Sequence, residues 1–143
     1  NYKIYSDINF TKSKNDEGRG PLAHIPPTFG KLLIEREVGK FQFSFDIRYA
    51  LKKSISEYDN AGVDNAEEGP ISSIFYSETG EETITYAGVP KWETINLNCN
   101  YTINKKTSIQ LSLNNLLDKH YKVFASGISA PGRSFVITLR IKA

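Results

Sequence analysis

Residues 41 to 49 read Phe-Gln-Phe-Ser-Phe-Asp-Ile-Arg-Tyr, apolar at every odd position and polar at every even one. Residues 95 to 103, Ile-Asn-Leu-Asn-Cys-Asn-Tyr-Thr-Ile, repeat the pattern. Ile109, Leu111 and Leu113 alternate with Gln110 and Ser112, and Phe135, Ile137, Leu139 and Ile141 with Val136, Thr138 and Arg140. Tyr2, Ile4, Ile8 and Phe10 hold a fifth face, interrupted by Ser6. A period of two belongs to a β-strand with one face in an apolar medium and the other in a polar one. A sixth segment, 30–38, is less regular, with Leu32, Leu33 and Ile34 adjacent and Arg36 and Glu37 following. The expected strands are 1–11, 30–38, 40–50, 92–104, 107–117 and 133–142.

The connections run long, short, long, short, long: 12–28, about 38–40, 51–90, 104–107 and 118–131. Successive connections of an antiparallel sheet lie at opposite ends, so the long loops share one rim and the tight turns the other. Alternation alone does not say whether the apolar face meets a core or lipid. Strand length favours lipid, because runs of 9 to 11 residues match a tilted membrane-crossing strand, whereas soluble strands are commonly about 5 or 6 residues. The polar face is mostly Asn, Ser, Thr and Gln, with few charges. Short turns opposite long loops are the pattern of outer-membrane barrels. The expected fold is therefore all-β, an antiparallel up-and-down transmembrane β-barrel, with six strands present. The alternative is a soluble β-barrel or β-sandwich binding module with the odd-numbered face as its core. Tyr2 with Phe10 and Phe41 with Tyr49 lie eight residues apart on one face, which spans the roughly 25 Å between two aromatic girdles. The parity of Trp92 places it on the polar face unless a bulge intervenes.

Composition narrows the classes. At 143 residues, 39% hydrophobic and 24% charged, the chain fits one folded unit. A net charge of +2 is too small to suggest nucleic acid. No apolar run is long enough for a membrane helix. Cys99, the only cysteine, excludes a disulfide framework, and with His24 and His120 it is too scattered for a zinc site. No cofactor is implied. Ser126, Gly127 and Ser129 near His120 lack a glycine-flanked nucleophile turn, and no enzymatic activity is expected. The 51–90 loop carries eight acids, Glu57, Asp59, Asp64, Glu67, Glu68, Glu78, Glu81 and Glu82, against Lys52 and Lys53, leaving it six charges negative. Such a loop is either solvated or attracts a cationic chelate or divalent ions. Its aromatic residues, Phe75 and Tyr76 with Tyr58 and Tyr86, stack on a ligand or pack within the loop.

The C-terminal half resembles the end of a TonB-dependent outer-membrane receptor of the ferric chelate (siderophore) type. The segments that carry the resemblance are Trp92-Glu93-Thr94-Ile95-Asn96-Leu97, Tyr101-Thr102-Ile103-Asn104, Asn115-Leu116-Leu117-Asp118-Lys119-His120-Tyr121, and Phe124 to Phe135 with its Pro131-Gly132-Arg133. Pro21-Leu22-Ala23-His24-Ile25-Pro26-Pro27 resembles another recurring segment of these barrels. Leu117 replaces the family's usual Phe, and Ala143 stands where the family usually ends in an aromatic residue. The resemblance implies structural roles for Asn115, Leu116, Asp118, Tyr121, Pro131, Gly132 and Arg133; Asp118 and Arg133 face each other across one long loop in sequence, as a loop clamp or turn cap rather than a ligand contact. It also implies location in the outer membrane of a Gram-negative cell and energy-coupled uptake of a ferric chelate or similar large nutrient. The implied partners are outer-membrane lipid, the remainder of the barrel and its plug, the TonB complex and the transported solute. The outer-loop candidates for touching that solute are His24, Tyr76, His120 and Arg133. On this reading the chain is a fragment, about the last six strands of a larger barrel and without its plug domain, since six strands are too few to close a membrane barrel.

Overall fold

The computed structural model describes residues 1–13, 20–59, 64, 66 and 69–142. Glu67, Glu68 and Ala143, singled out above, lie outside the described residues. Six strands form one antiparallel sheet: β1 (Tyr2–Asn9), β2 (Phe29–Val38), β3 (Phe41–Ala50), β6 (Trp92–Asn104), β7 (Thr107–Asn114) and β8 (Ser134–Ile141), in the spatial order β1-β2-β3-β6-β7-β8. Between β3 and β6 the chain leaves the sheet and makes a separate hairpin, β4 (Ile71–Tyr76) with β5 (Glu82–Tyr86). The acidic stretch is therefore not a plain loop. Its β-branched and aromatic residues favour strand. Between them lies a turn in which the Ser77 hydroxyl accepts the Glu81 N–H at 2.9 Å and Gly80 takes φ 83°.

Register keeps the parity of every strand aligned across the sheet. Ile4, Ile34, Phe45, Leu97, Leu113 and Phe135 form one continuous cross-strand row. One residue along, Lys3, Glu35, Ser44, Asn98, Ser112 and Val136 form the next, on the opposite face. A slip of one residue anywhere would break both rows, so one register satisfies the whole pattern. Leu33, the residue that spoils the alternation of β2, sits on the polar face between Tyr5 and Asp46.

Exposure is inverted relative to a water-soluble domain. Phe43 is 44% exposed and Ile137 62%, while Asp46, Thr94, Asn96 and Ser112 are buried. The buried apolar residues among the described ones are Ala50, Tyr58 and Val89, none of them from the middle of the sheet. Phe43, Leu97 and Leu111 are exposed and Phe45 half-buried, so within this chain the odd-numbered face encloses no dry centre. A sheet curled toward its polar side crowds that side and splays the other, which is the geometry of a barrel wall.

The two rims differ as the connection lengths require. At the tight-turn rim Gly39 takes φ 59° at the first central position of a two-residue hairpin turn, where glycine carries no steric cost. Lys40 Nζ donates to the Ile103 carbonyl at 3.0 Å, and Asn104 Oδ1 accepts the Lys106 N–H at 2.8 Å. Phe41 packs on Tyr101 with ring centres 4.6 Å apart, and the Arg36 guanidinium lies 4.8 Å over Tyr2. Rings beside cations thus close this end of the apolar band.

Gly30, in β2 opposite Tyr49, is required by packing. A Cβ there would meet the Asp7 carbonyl and the Tyr49 ring, with the Tyr49 hydroxyl at 2.7 Å. The ring lies across the glycine and covers the gap that a missing side chain leaves in a strand. Gly30→Val should destabilise the sheet by about 1–3 kcal/mol through overpacking. The effect should shrink in a Tyr49→Ala background, as read from urea unfolding midpoints in lipid vesicles.

Candidate functional site

The chemistry collects at the long-loop rim. Where β7 ends, Asn115 turns the chain with φ 49° and is buried. Its backbone N–H donates to Asn96 Oδ1 at 2.8 Å, and Asn96 Nδ2 donates to Asp46 Oδ2 at 2.8 Å. Asp46 also accepts Arg48 Nε at 3.0 Å. Asn115 Nδ2 donates to the Lys119 and Pro131 carbonyls, and its Oδ1 accepts the Lys119 N–H at 2.9 Å. Leu116 adds a backbone bond to the Ile95 carbonyl at 2.9 Å. One asparagine thereby ties β6, β7 and both ends of the 118–131 loop together. Asp118, itself at φ 50°, accepts the Arg133 backbone N–H at 2.8 Å, and Gly132 leaves room for that carboxylate. It is the Arg133 amide that Asp118 holds; the Arg133 side chain extends from an exposed residue.

Asn115→Ala should cost about 2–3 kcal/mol, because it strips donors from two carbonyls and leaves a left-handed φ on a residue with a Cβ. Asn115→Gly should recover about 1 kcal/mol of that, the backbone share. The urea midpoints of the two variants separate these terms.

A second knot joins three loops. Lys53, only 3% exposed, pairs with Asp64 at 2.9 Å and donates to the Ile25 carbonyl at 2.7 Å. Its ammonium lies 4.6 Å from the Tyr58 ring centre and 3.9 Å from that of Phe124, and those rings meet edge to face. Asp64 Oδ1 also accepts the His24 backbone N–H at 2.7 Å, and the Asp64 N–H donates to Asp59 Oδ1. An ion pair removed from water needs this set of hydrogen bonds and ring faces to offset its desolvation. His24, Ile25, Lys53, Tyr58, Asp59, Asp64 and Phe124 are thus fastened at one point, and Lys53 is bridged to Val89 by two backbone bonds of 3.0 Å.

Beside the first knot, Trp92 lies against Tyr121 with ring centres 4.3 Å apart. Ala50 pairs with Trp92 in an unshifted register, so no bulge intervenes and the indole stays on the polar side. Both rings line a cavity of about 370 Å³ together with Lys91, Lys119, His120 and Lys122. A second cavity of about 560 Å³ shares Trp92 and includes Phe29, Lys31, Arg48 and Phe124.

The four outer-loop candidates do not form one site. His24 has φ 61° and an exposed ring, with Nδ1 3.6 Å from Asp64 Oδ1, and belongs to the lysine knot. His120 lines the smaller cavity. Tyr76 is exposed at the end of β4, and Arg133 is fixed by its backbone. No three His, Cys, Asp or Glu side chains gather as a metal site among the described residues. The acids of the 51–90 stretch are divided. Glu57 accepts the Ser54 N–H, Asp59 and Asp64 hold the knot, and Glu78, Glu81 and Glu82 lie in or beside the hairpin turn. Sequence reasoning missed the pairing of Lys53 with Asp64, the burial of Asp46 and the lysines around Trp92. Only Asp46 carried a signal, as a lone acid inside a clean alternating strand.

An up-and-down antiparallel sheet with its apolar side bare, its polar side crowded and its long loops bound into one rim is a wall segment of a β-barrel. The fold is similar to that of the copper transporter OprC, with a TM-score of 0.68 over 99% of this chain at 16% sequence identity. The chain spans about a fifth of that protein, 21% of its length. No family model and no curated protein matches the sequence.

Proposed function

We propose that this chain is part of the barrel wall of a TonB-dependent transporter of the outer membrane, importing a ferric chelate or a similar large solute. The observation that carries the reading is the inverted exposure of the sheet, with Phe43, Leu97, Leu111, Leu113, Phe135 and Ile137 exposed on one side and Asp46, Thr94, Asn96 and Ser112 buried on the other. Hydrocarbon is the medium in which that apolar face is stable. The likeness to the copper transporter OprC supports the barrel. In this reading the apolar face holds the wall in lipid, the polar face borders the lumen and the plug, the bound loops present the solute site, and the TonB complex supplies energy. No enzymatic role is proposed.

The test places single labels at positions 43, 45 and 97, and at 44, 96 and 98, after Cys99→Ser, and measures fluorescence quenching by brominated lipid. Quenching confined to the odd positions supports the wall. Equal responses on both faces, or recovery of the chain as a water-soluble monomer, would overturn it.

A further inference from the structure

Among the described residues, the apolar side of the sheet holds a single arginine. Arg36 stands in the cross-strand row Tyr2, Arg36, Phe43, Cys99, Leu111 and Ile137, two residues inboard of Val38, which ends β2 at the tight-turn rim. Two residues of strand are roughly 7 Å, so this charge enters the apolar band. Beyond lying 4.8 Å over the Tyr2 ring, it makes no hydrogen bond and no ion pair among the described residues. Glu35 and Glu37 have the opposite parity, and Glu37 is taken by Lys3 at 3.7 Å. A guanidinium carries five donors and no acceptor, and its planar fork matches a phosphate. Against hydrocarbon it is costly until an anion or water reaches it.

The same row contains a hollow. Cys99 is its smallest side chain and is half-buried. With Phe43, Phe45, Leu97, Leu111 and Leu113 it lines a cavity of about 440 Å³, and Arg36 forms part of the edge. An apolar hollow bordered by one unpaired cation matches an amphiphile, chain in the hollow and anion at the border. The field of the rim agrees, because Lys40, Lys105, Lys106 and Lys142 lie in or beside its two turns.

We propose that this groove is a selective site for one glycerophospholipid, with part of an acyl chain in the hollow over Cys99 and the phosphate held by the Arg36 guanidinium. The inference rests on the wall reading and goes beyond it, because a wall in lipid needs only fluid hydrocarbon and selects no molecule. The occupant is a phospholipid and not lipid A: Arg36 belongs to the rim of short turns, which in an outer-membrane barrel faces the periplasm and the phospholipid leaflet.

The probes are dioleoyl phosphatidylglycerol and dioleoylglycerol, which share their chains and differ by the phosphate headgroup. Each is titrated into the native protein, extracted from its own membrane in a neutral detergent, and native mass spectrometry counts the bound copies. One phosphatidylglycerol should bind at least tenfold more tightly than dioleoylglycerol. Arg36→Gln should lose at least tenfold in phosphatidylglycerol affinity and leave dioleoylglycerol unchanged, which also reports that the variant is folded. Cys99→Phe fills the hollow and should weaken both lipids together, whereas Lys106→Gln, at the same rim outside the cavity, should keep both. Unchanged phosphatidylglycerol affinity in either Arg36→Gln or Cys99→Phe would overturn the site, and so would equal losses in Arg36→Gln and Lys106→Gln, which mark a diffuse field. Tighter binding of lipid A than of phosphatidylglycerol, lost in Arg36→Gln, would give the groove to the other leaflet's lipid and refute the assignment. The lipid-quenching measurement at positions 43, 45 and 97 stands apart from all of these, so the wall can hold while this site fails.

Discussion

Leu97→Lys is expected to destabilise the folded chain in a bilayer by about 2–4 kcal/mol, the cost of a lysine at the midplane of a barrel's lipid face. Leu97 lies mid-strand in β6, flanked by Phe45 and Leu113, so on the proposed wall reading the ammonium of a lysine there would have hydrocarbon on every side and no short route to a headgroup. Asn98→Lys, one residue away on the opposite face beside Ser44 and Ser112, should change stability by less than about 1 kcal/mol, because that side borders water and polar groups. The cost should decline toward the rims. Arg36 already sits on the apolar face at the tight-turn rim, where its guanidinium covers Tyr2. Equilibrium urea unfolding in vesicles measures all three positions. Near-equal values at 97 and 98 would mean that the apolar face is not in hydrocarbon.

Such a wall has no packed hydrophobic core, and this shifts what polar side chains must do. In a water-soluble domain the buried layer is apolar and polar groups reach solvent. Here the crowded layer is the polar one, and it tolerates burial because its members bond to each other. Asp46, Asn96 and Asn115 form a chain across β3, β6 and the end of β7. Removing one member strands the others, which is why Asn115 matters more than its size suggests.

The sheet was legible in the sequence because a period of two is a local signal repeated in five segments, and because loop length alone assigns the rims. Leu32-Leu33-Ile34 obscured β2, since Leu33 occupies a polar-face position that composition does not mark. The β4–β5 hairpin was hidden by its acidic surroundings: Ile74 faces Ile84, but Phe75 and Tyr76 point to opposite sides and leave no clean alternation. The Asn115 turn was readable only through the motif containing it. The Lys53–Asp64 pair was not readable at all. It is formed by loops that meet only after the strands have placed their ends together, and nothing in the spacing of 24, 53, 64 and 124 reports that meeting.

Breaking that pair should release the outer loops as a unit. Asp64→Ala leaves the Lys53 ammonium buried against Tyr58 and Phe124, with the Ile25 carbonyl its one remaining hydrogen-bond partner among the described residues. An orphaned buried charge costs about 3–5 kcal/mol. Loops opening into water can discharge that cost without unfolding the wall, so the effect should appear as local opening. Hydrogen exchange at the Lys53 and Val89 amides, which bond to each other's carbonyls, should accelerate by two orders of magnitude or more, while ladder amides such as Phe45 and Leu97 keep their protection. The double variant Lys53→Met, Asp64→Asn removes the charge while retaining an acceptor for the His24 N–H, and should restore most of the protection. Equal exchange in the single and double variants would mean that ring packing, and not the ion pair, closes the loops. Faster exchange throughout the β3–β6 ladder would mean that the knot supports the wall itself.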